Sequence, residues 1–354
     1  MTLAVNIAQG ASNNVTFRNR IINGAMVISQ RNGTSSVTIN SAAWTYTVDR
    51  FCCLGQSADG VYTVQQSSTA PAGFINSLLV TVTTADSSVG AGQIYTLRQT
   101  IEGYNIADLN WGTANAQSAT LSFWVRSSVT GTFSGCFNNE GTASYPFTYT
   151  ISSANTWEQK TVTVTGPTSG TWGSTNSNGI RLTWSLGTGS TYSGTANTWN
   201  YSTEYFAASS TTNLISTNGA TWYVTGVQLE AGTTASPFEY RQYGTELALC
   251  QRYFFSAEGG QYIAGKQDGT TNWFGNIAVP VALRASPTLS FSVGPTIRLF
   301  GQVGYKQSST NSVTLSAFCS TSIAVGFSGF SGLSDNYVAN VRYDGANILI
   351  SAEL

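Results

Sequence analysis

Histidine is absent from this 354-residue chain. That absence removes the Ser/His/Asp triad, the HExxH zinc site, an imidazole general base and a charge switch near neutral pH. Charge is scarce as well: Asp, Glu, Lys and Arg make up 9% of residues, against ~25% in an ordinary globular protein. With 15 basic and 16 acidic side chains the formal charge is -1, so no basic surface for nucleic acid or anionic lipid is expected. The five cysteines are odd in number, Cys52 and Cys53 are adjacent, and none forms a CxxC pair. Neither a zinc site nor a disulfide framework is expected. The acids are dispersed without a DxDxDG run, so no metal or other cofactor is expected. No run of ~18 apolar residues occurs, and the opening MTLAVNIAQGASNN lacks a basic n-region. The expectation is a soluble chain made without a signal peptide and without membrane insertion.

In place of charge the chain carries 44 Ser and 48 Thr, with 36 Gly. Helical proteins wet their outer faces with Lys, Glu and Arg, yet only Lys160, Lys266 and Lys306 are lysines here. Helices should therefore be few. Thr, Val, Tyr, Phe and Trp suit a pleated, half-buried surface, and the reading is all-β: a jelly-roll-like sandwich, a short linking helix and a second, smaller sandwich.

Residues 1–20 are polar and short of large apolar groups, which reads as an arm or docking segment. From Asn19, Asn23-Gly24 and Asn32-Gly33 read as hairpin turns opening a series of strands. Short alternating runs continue to about Glu239. Leu121, Phe123 and Val125 face one way, and Ser122, Trp124 and Arg126 the other, the period of two that a sandwich strand requires. Eight to ten strands over 21–243 suit a jelly roll. The segment IEGYNIADLNWG breaks the alternation as a loop or helical turn. GTELALCQRYFF, beginning at Gly244, places Leu247, Cys250 or Gln251, and Phe254 at helical spacing, with Thr245 as cap. A helix over 244–256 follows, then seven short strands over 257–354. No fixed-period repeat of a β-helix or propeller is present.

The run from Gly260 to Lys266 approaches a P-loop, but residue 267 is Gln where Ser or Thr should bind magnesium, and no helix pattern follows. It reads as a turn with a surface lysine. Carboxylate pairs, which cleave glycosides without histidine, are represented by Glu102 with Asp108 and by Glu230 with Glu239 and Glu246; they read as solvated or paired with Arg98, Arg241 and Arg252. Cys52-Cys53 reads as buried free thiols. The densest aromatic group is Trp172, Trp184, Tyr192, Trp199 and Tyr201. Exposed aromatic faces stack on the C–H surface of sugars, while Asn, Thr and Ser bond their hydroxyls. Trp184 sits in an alternating run and reads as core. Trp172, Trp199 and Tyr201, in loop-like sequence, are candidates either for packing or for carbohydrate contact, as are Tyr262 and Trp273 in the last domain.

The runs NRIINGAMVISQR and YTVDRF, with RQTIEGYNIADLNWGTANAQSATLSFWVRSSVTGTF, WYVTGVQLEAGTTASPFEYRQYGTELALCQRYF, VPVALRASPTL and ILISAEL, resemble a recurrent bacteriophage tail-fibre sequence type from about residue 19 onward. The resemblance implies a virion component synthesised in the host cytoplasm and usually homotrimeric. It implies an N-terminal arm on other tail or baseplate proteins, then a carbohydrate-binding-module-like jelly roll and a distal C-terminal domain. The expected function is non-enzymatic attachment to a host surface glycan. Two alternatives stand beside it: a capsid or tail decoration protein without receptor contact, and a glycan depolymerase. The missing short repeat counts against the depolymerase. Trimer contacts are expected from the helix near Leu247 to Phe254 and from the last strands.

Overall fold

The structure, a computed structural model, describes residues 17–56, 59–301, 304–310, 312–319, 321–333 and 337–354. Most of the expected docking arm lies outside the described residues. The chain divides into two compact units, one ending at Arg241 and the other spanning Gln242–Leu354.

The first unit is a sandwich of two six-stranded antiparallel sheets, joined through a jelly-roll-like order of strands. One sheet runs β1 (Val37–Ile39), β4 (Val61–Ser67), β5 (Ser77–Thr84), β14 (Thr221–Ala231), β7 (Ala119–Ser127), β10 (Glu158–Val164). The other runs β2 (Thr45–Tyr46), β3 (Phe51–Gly55), β6 (Ile94–Glu102), β11 (Asn178–Thr188), β8 (Gly131–Asn138), β9 (Ser144–Ile151). Strand β7 shows why this sequence makes a sandwich. Leu121, Phe123 and Val125 are fully buried between the sheets, while Trp124 and Arg126 on the opposite face are half-buried. Across the core, Trp184 of β11 packs edge-on to Phe123 with ring centroids 5.8 Å apart, an arrangement aromatic quadrupoles favour.

Strand β6 departs from simple alternation because all nine of its residues are buried. Leu97 and Ile101 enter the main core. On the outer face Ile94 joins Leu54 and Phe206 in a small separate cluster. Phe206 belongs to the excursion between β11 and β14, whose β12 (Ser193–Gly194) and β13 (Ala207–Ala208) pair in parallel.

Two local expectations, the strands opening at Asn19 and the extent of the helix, are corrected, while IEGYNIADLNWG takes the helical-turn form expected of it. Residues 19–36 contain no strand, and Asn23-Gly24 is not a hairpin turn. Asn23 takes a left-handed φ of 61°, and its buried side chain bonds Ile28 N and O and Asp49 O. IEGYNIADLNWG forms two 3-10 turns, Gly103–Asn105 and Ala107–Leu109. The helix α1 covers only Tyr243–Gln251, with Gln242 rather than Thr245 at its N-cap. Phe254, expected on the helix, opens strand β15 (Phe254–Ala257), paired with β24 (Ile348–Ser351).

In the second unit β15, β24 and β18 (Thr288–Phe291) form one sheet. The other has seven strands in the order β20 (Gly304–Gln307), β19 (Thr296–Gly301), β23 (Val338–Asp344), β16 (Tyr262–Asp268), β17 (Asn272–Ala278), β22 (Ser322–Phe327), β21 (Thr314–Cys319). Its core includes Trp273, Leu299, Val325, Val341, Ile348 and Ile350. Phe254, Ile348 and Ile350, from segments expected to supply trimer contacts, are buried within the unit itself, while Leu349 is half-buried. The near P-loop lies on strand β16, with Gln267 buried. Among the described residues no helix is long and apolar enough to cross a membrane, and no three His, Cys, Asp or Glu converge as metal ligands.

Candidate functional site

Three connections at one end of the first sandwich meet around a cleft of about 630 Å³. They are the β8–β9 turn (residues 139–143), the loop between β10 and β11, and the connection between β12 and β13 at Tyr201. The lining is amide, hydroxyl and backbone: Asn139, Thr142, Ser169, Thr171, Asn178 and Tyr201 among others. Such a surface offers neutral donors and acceptors to a polyhydroxylated ligand.

The turn is rigid because Asn139 stitches it. Its Oδ1 accepts from Gly141 N at 2.8 Å and Ala143 N at 3.1 Å, and its Nδ2 donates to Thr171 O at 3.0 Å across to the neighbouring loop. Thr142 Oγ1 donates to Tyr201 O at 2.7 Å. Burial raises the Tyr201 phenol above its ordinary pKa, and a backbone hydrogen bond from Ser169 opposes the rise. Tyr201 is thus tied to the β8–β9 turn through its carbonyl while its residue surface stays 42% exposed.

Behind Tyr201 stands a tryptophan trio. Trp111, Trp172 and Trp199 meet edge-to-face in all three pairs, at 4.8, 5.8 and 5.6 Å. Trp199 and Tyr201 are nearly parallel, 6.3 Å apart. Every indole nitrogen is anchored: Trp111 to Gln117 O at 2.8 Å, Trp172 to Ser169 O at 3.2 Å and Trp199 to Thr165 O at 2.8 Å. Gly112, at φ +87°, lets the chain pass the trio, since a Cβ there would meet Gly170 O at 2.5 Å and Trp172 Cδ1 at 2.9 Å.

One carboxylate, Glu140, lines the cleft. It accepts from Asn178 Nδ2 at 3.0 Å and from Arg181 at 3.4 Å, and Arg181 also reaches Glu204 at 3.4 Å. Glycoside cleavage by paired acids needs two carboxyls about 5–9.5 Å apart across the scissile bond; the lining supplies one, held by a guanidinium. The other acids singled out from sequence have structural partners. Asp108 pairs with Arg20 at 2.6 Å. Glu230 accepts from Ser236 N and Oγ. Glu239 accepts from the backbone of Phe17 and Asn19.

Of the five candidate contact residues, the structure brings Trp172, Trp199 and Tyr201 together. Trp172 and Trp199 are half-buried against the core, and Tyr201 presents the freest ring. Trp273 is a correction: it is 0% exposed, and its indole N–H donates to Ala339 O at 3.0 Å inside the second core. Tyr262, in the same unit, is 56% exposed, with its ring edge-on to Phe300 and Arg342 5.5 Å above it. Sequence reading missed Trp111, Asn139, Glu140 and Asn178. Trp111 was visible in the DLNWG run; the others needed the strand register.

No family model matches the chain, and no curated protein does. Among solved structures it is similar to the enzymatically active domain of bacteriophage CBA120 tailspike protein 4, at 14% identity and TM-score 0.33, over 62% of this chain and 22% of that one. The chain thus covers under a quarter of that tailspike's length. A putative sugar binding protein from Bacteroides thetaiotaomicron aligns at 13% identity and TM-score 0.36, over 60% of this chain and 100% of that one. A family 11 carbohydrate-binding module from Clostridium thermocellum aligns at 8% identity and TM-score 0.28, over 58% and 99%.

Proposed function

We propose that this chain is a non-enzymatic attachment protein of a bacteriophage particle, a homotrimeric fibre component that holds a host surface glycan in the Tyr201 cleft. The observation that carries the reading is the pairing of an exposed, firmly braced tyrosine ring with a cleft of neutral amide and hydroxyl groups. A sugar places its C–H face on the ring and its hydroxyls on the cleft wall. A single carboxylate already engaged by Arg181 suits binding rather than bond cleavage. The sequence resemblance supplies the virion context and the trimer, and a trimer makes weak sugar sites useful because later contacts become intramolecular.

The test is a glycan array, followed by titration of the best ligand into the wild type and Tyr201→Ala. Removing the ring should weaken binding about tenfold, roughly 1.4 kcal/mol, without lowering the melting temperature. Absence of binding to any glycan or to any susceptible envelope would remove the reading. New reducing ends released from a host polysaccharide would replace it with the depolymerase. Light scattering should give three times the 37.5 kDa chain mass.

A further inference from the structure

Arg98 occupies the middle of the outer face of the second sheet, in the cross-strand row Tyr46, Cys52, Arg98, Thr183, Cys136. It is 6% exposed. Its guanidinium makes one hydrogen bond among the described residues, from Nε to Thr183 Oγ1 at 3.3 Å, and its buried Nη2 has no partner. No carboxylate forms an ion pair with it. Two aromatic rings cover it instead, Trp44 at 3.9 Å and Phe206 at 5.3 Å. Burial pulls its pKa down from 12.5 to about 10, with Arg181 pushing the same way and Cys52, Glu204 and Cys136 opposing. At neutral pH the guanidinium is therefore still charged, stripped of water and without a carboxylate in direct contact. A buried cation in that condition is costly unless something pairs with it.

The surroundings define what that partner is. Arg181, one row along on the same face, is already engaged by Glu140 and Glu204, so of these two neighbours Arg98 is the guanidinium left for a ligand, and Glu204 nearby disfavours a doubly charged one. A planar fork with a free Nη2 matches the two oxygens of a carboxylate. Access lies under Trp44. Its residue surface is 37% exposed, the preceding Ser41, Ala42 and Ala43 are all exposed, and no hydrogen bond holds its indole. Displaced from the guanidinium, the same ring is placed to stack on a sugar. A chain of charges links the position to the cleft: Glu140, which lines it, is the partner of Arg181, and Arg181 acts electrostatically on Arg98.

We propose that Arg98, covered by Trp44, is a carboxylate subsite that selects an acidic sugar residue in the glycan whose neutral residues occupy the Tyr201 cleft. The inference rests on the glycan-binding reading of that cleft and names its ligand class. The ligand carboxylate displaces Trp44 and pairs with Nη2, and the pyranose ring takes the place over the indole.

The test titrates the full chain with oligosaccharides containing glucuronate, galacturonate or sialic acid, each beside its carboxyl methyl ester. At least one acid should bind tenfold or more tighter than its ester, and that advantage should shrink as salt rises. Arg98→Lys keeps the charge and loses the fork, and should bring the acid-to-ester ratio close to one. Since replacing a buried cation can unfold the sheet, side-chain 15N resonances of arginine in the wild type give a second reading: the Arg98 Nε signal should shift with the acid and not with the ester. Equal binding of every acid and its ester, or an unmoved Arg98 signal at saturation, overturns the subsite. If neutral glycans still bind and Tyr201→Ala still weakens them, only the subsite falls. If neither acids nor neutral glycans bind, the reading of the cleft falls with it.

Discussion

Tryptophans 172, 199 and 273 look alike as letters, and their surroundings separate them. Trp273 fills a slot walled by glycines on its own and the adjacent strand: a Cβ at Gly265 would meet its Cζ2 at 2.4 Å, and one at Gly275 its Cη2 at 2.2 Å. Trp273→Ala should therefore cost about 3–5 kcal/mol of stability, whereas Tyr262→Ala on the same sheet should stay within about 0.5 kcal/mol in a urea melt. Buried acids give a second prediction. Burial raises the Tyr62 and Tyr149 phenols and the Cys53 and Cys136 thiols well above their ordinary values, and lifts Tyr343 to about 12. The unfolded chain releases those protons from about pH 8.5–10, while the folded chain holds them, so stability is full below that range and falls as pH rises through it. Arg98 acts with the opposite sign, gaining stability above about pH 10, but it is one group against five. With no histidine to titrate, urea midpoints should agree between pH 6 and 8 and drop by pH 10.5; an unchanged midpoint at pH 10.5 would contradict the assignment. The period-two face of β7 was legible because one side of that strand meets the core. The burial of Trp273 was not, because it depends on which glycine lies across the sheet, and the Arg98 position was hidden because it depends on the register that sets Cys52 and Thr183 beside it.

At the scale of elements, the blocks that made the sequence distinctive turn out to hold the ends of the first sandwich together. Asn19 accepts from Leu229 N and donates to Val227 O. Arg241 donates to Ile21 O at 3.1 Å. Glu239 accepts from Phe17 N at 2.6 Å and Asn19 N at 2.9 Å. The segments NRIING and PFEYR are over two hundred residues apart, and Glu239 and Arg241 of the second satisfy backbone groups of the first, while Asn19 of the first serves strand β14. This explains why Asn23-Gly24 misled: the dipeptide does carry a left-handed residue, but the partners that consume its side chain are Ile28 and Asp49 rather than a facing strand. The short helix misled in a related way, since Phe254 has helical spacing in sequence yet pairs with Ser351 at the far end of the unit. Glu239→Ala leaves three amides, those of Phe17, Arg18 and Asn19, without their charged acceptor and should cost about 1.5–3 kcal/mol. Hydrogen exchange locates the effect: amides 17–21 should lose protection ahead of strands β6 and β11. Uniform loss across the sandwich would show that Glu239 does not act through this clamp.

For the whole molecule, two closed cores in one chain carry a thermodynamic consequence. The first includes residues from Ile21 to Leu229, the second from Ala257 to Ala352, and no side chain is common to both. Each unit also lies in the size range in which a domain folds by its own burial. Neither core has a disulfide to add to it, since Cys52, Cys53, Cys136 and Cys250 are buried as free thiols and Cys319 is free and exposed. Stability then depends in each unit on aromatic and aliphatic burial, and the unit with fewer such residues should give way first. Calorimetry of the full chain should resolve two transitions. Trp184→Ala removes the ring at the centre of the first core and should lower one transition alone; Trp273→Ala should lower the other alone. Each loss should correspond to about 3–5 kcal/mol. A single transition displaced equally by either substitution would mean that the two cores unfold as one cooperative body.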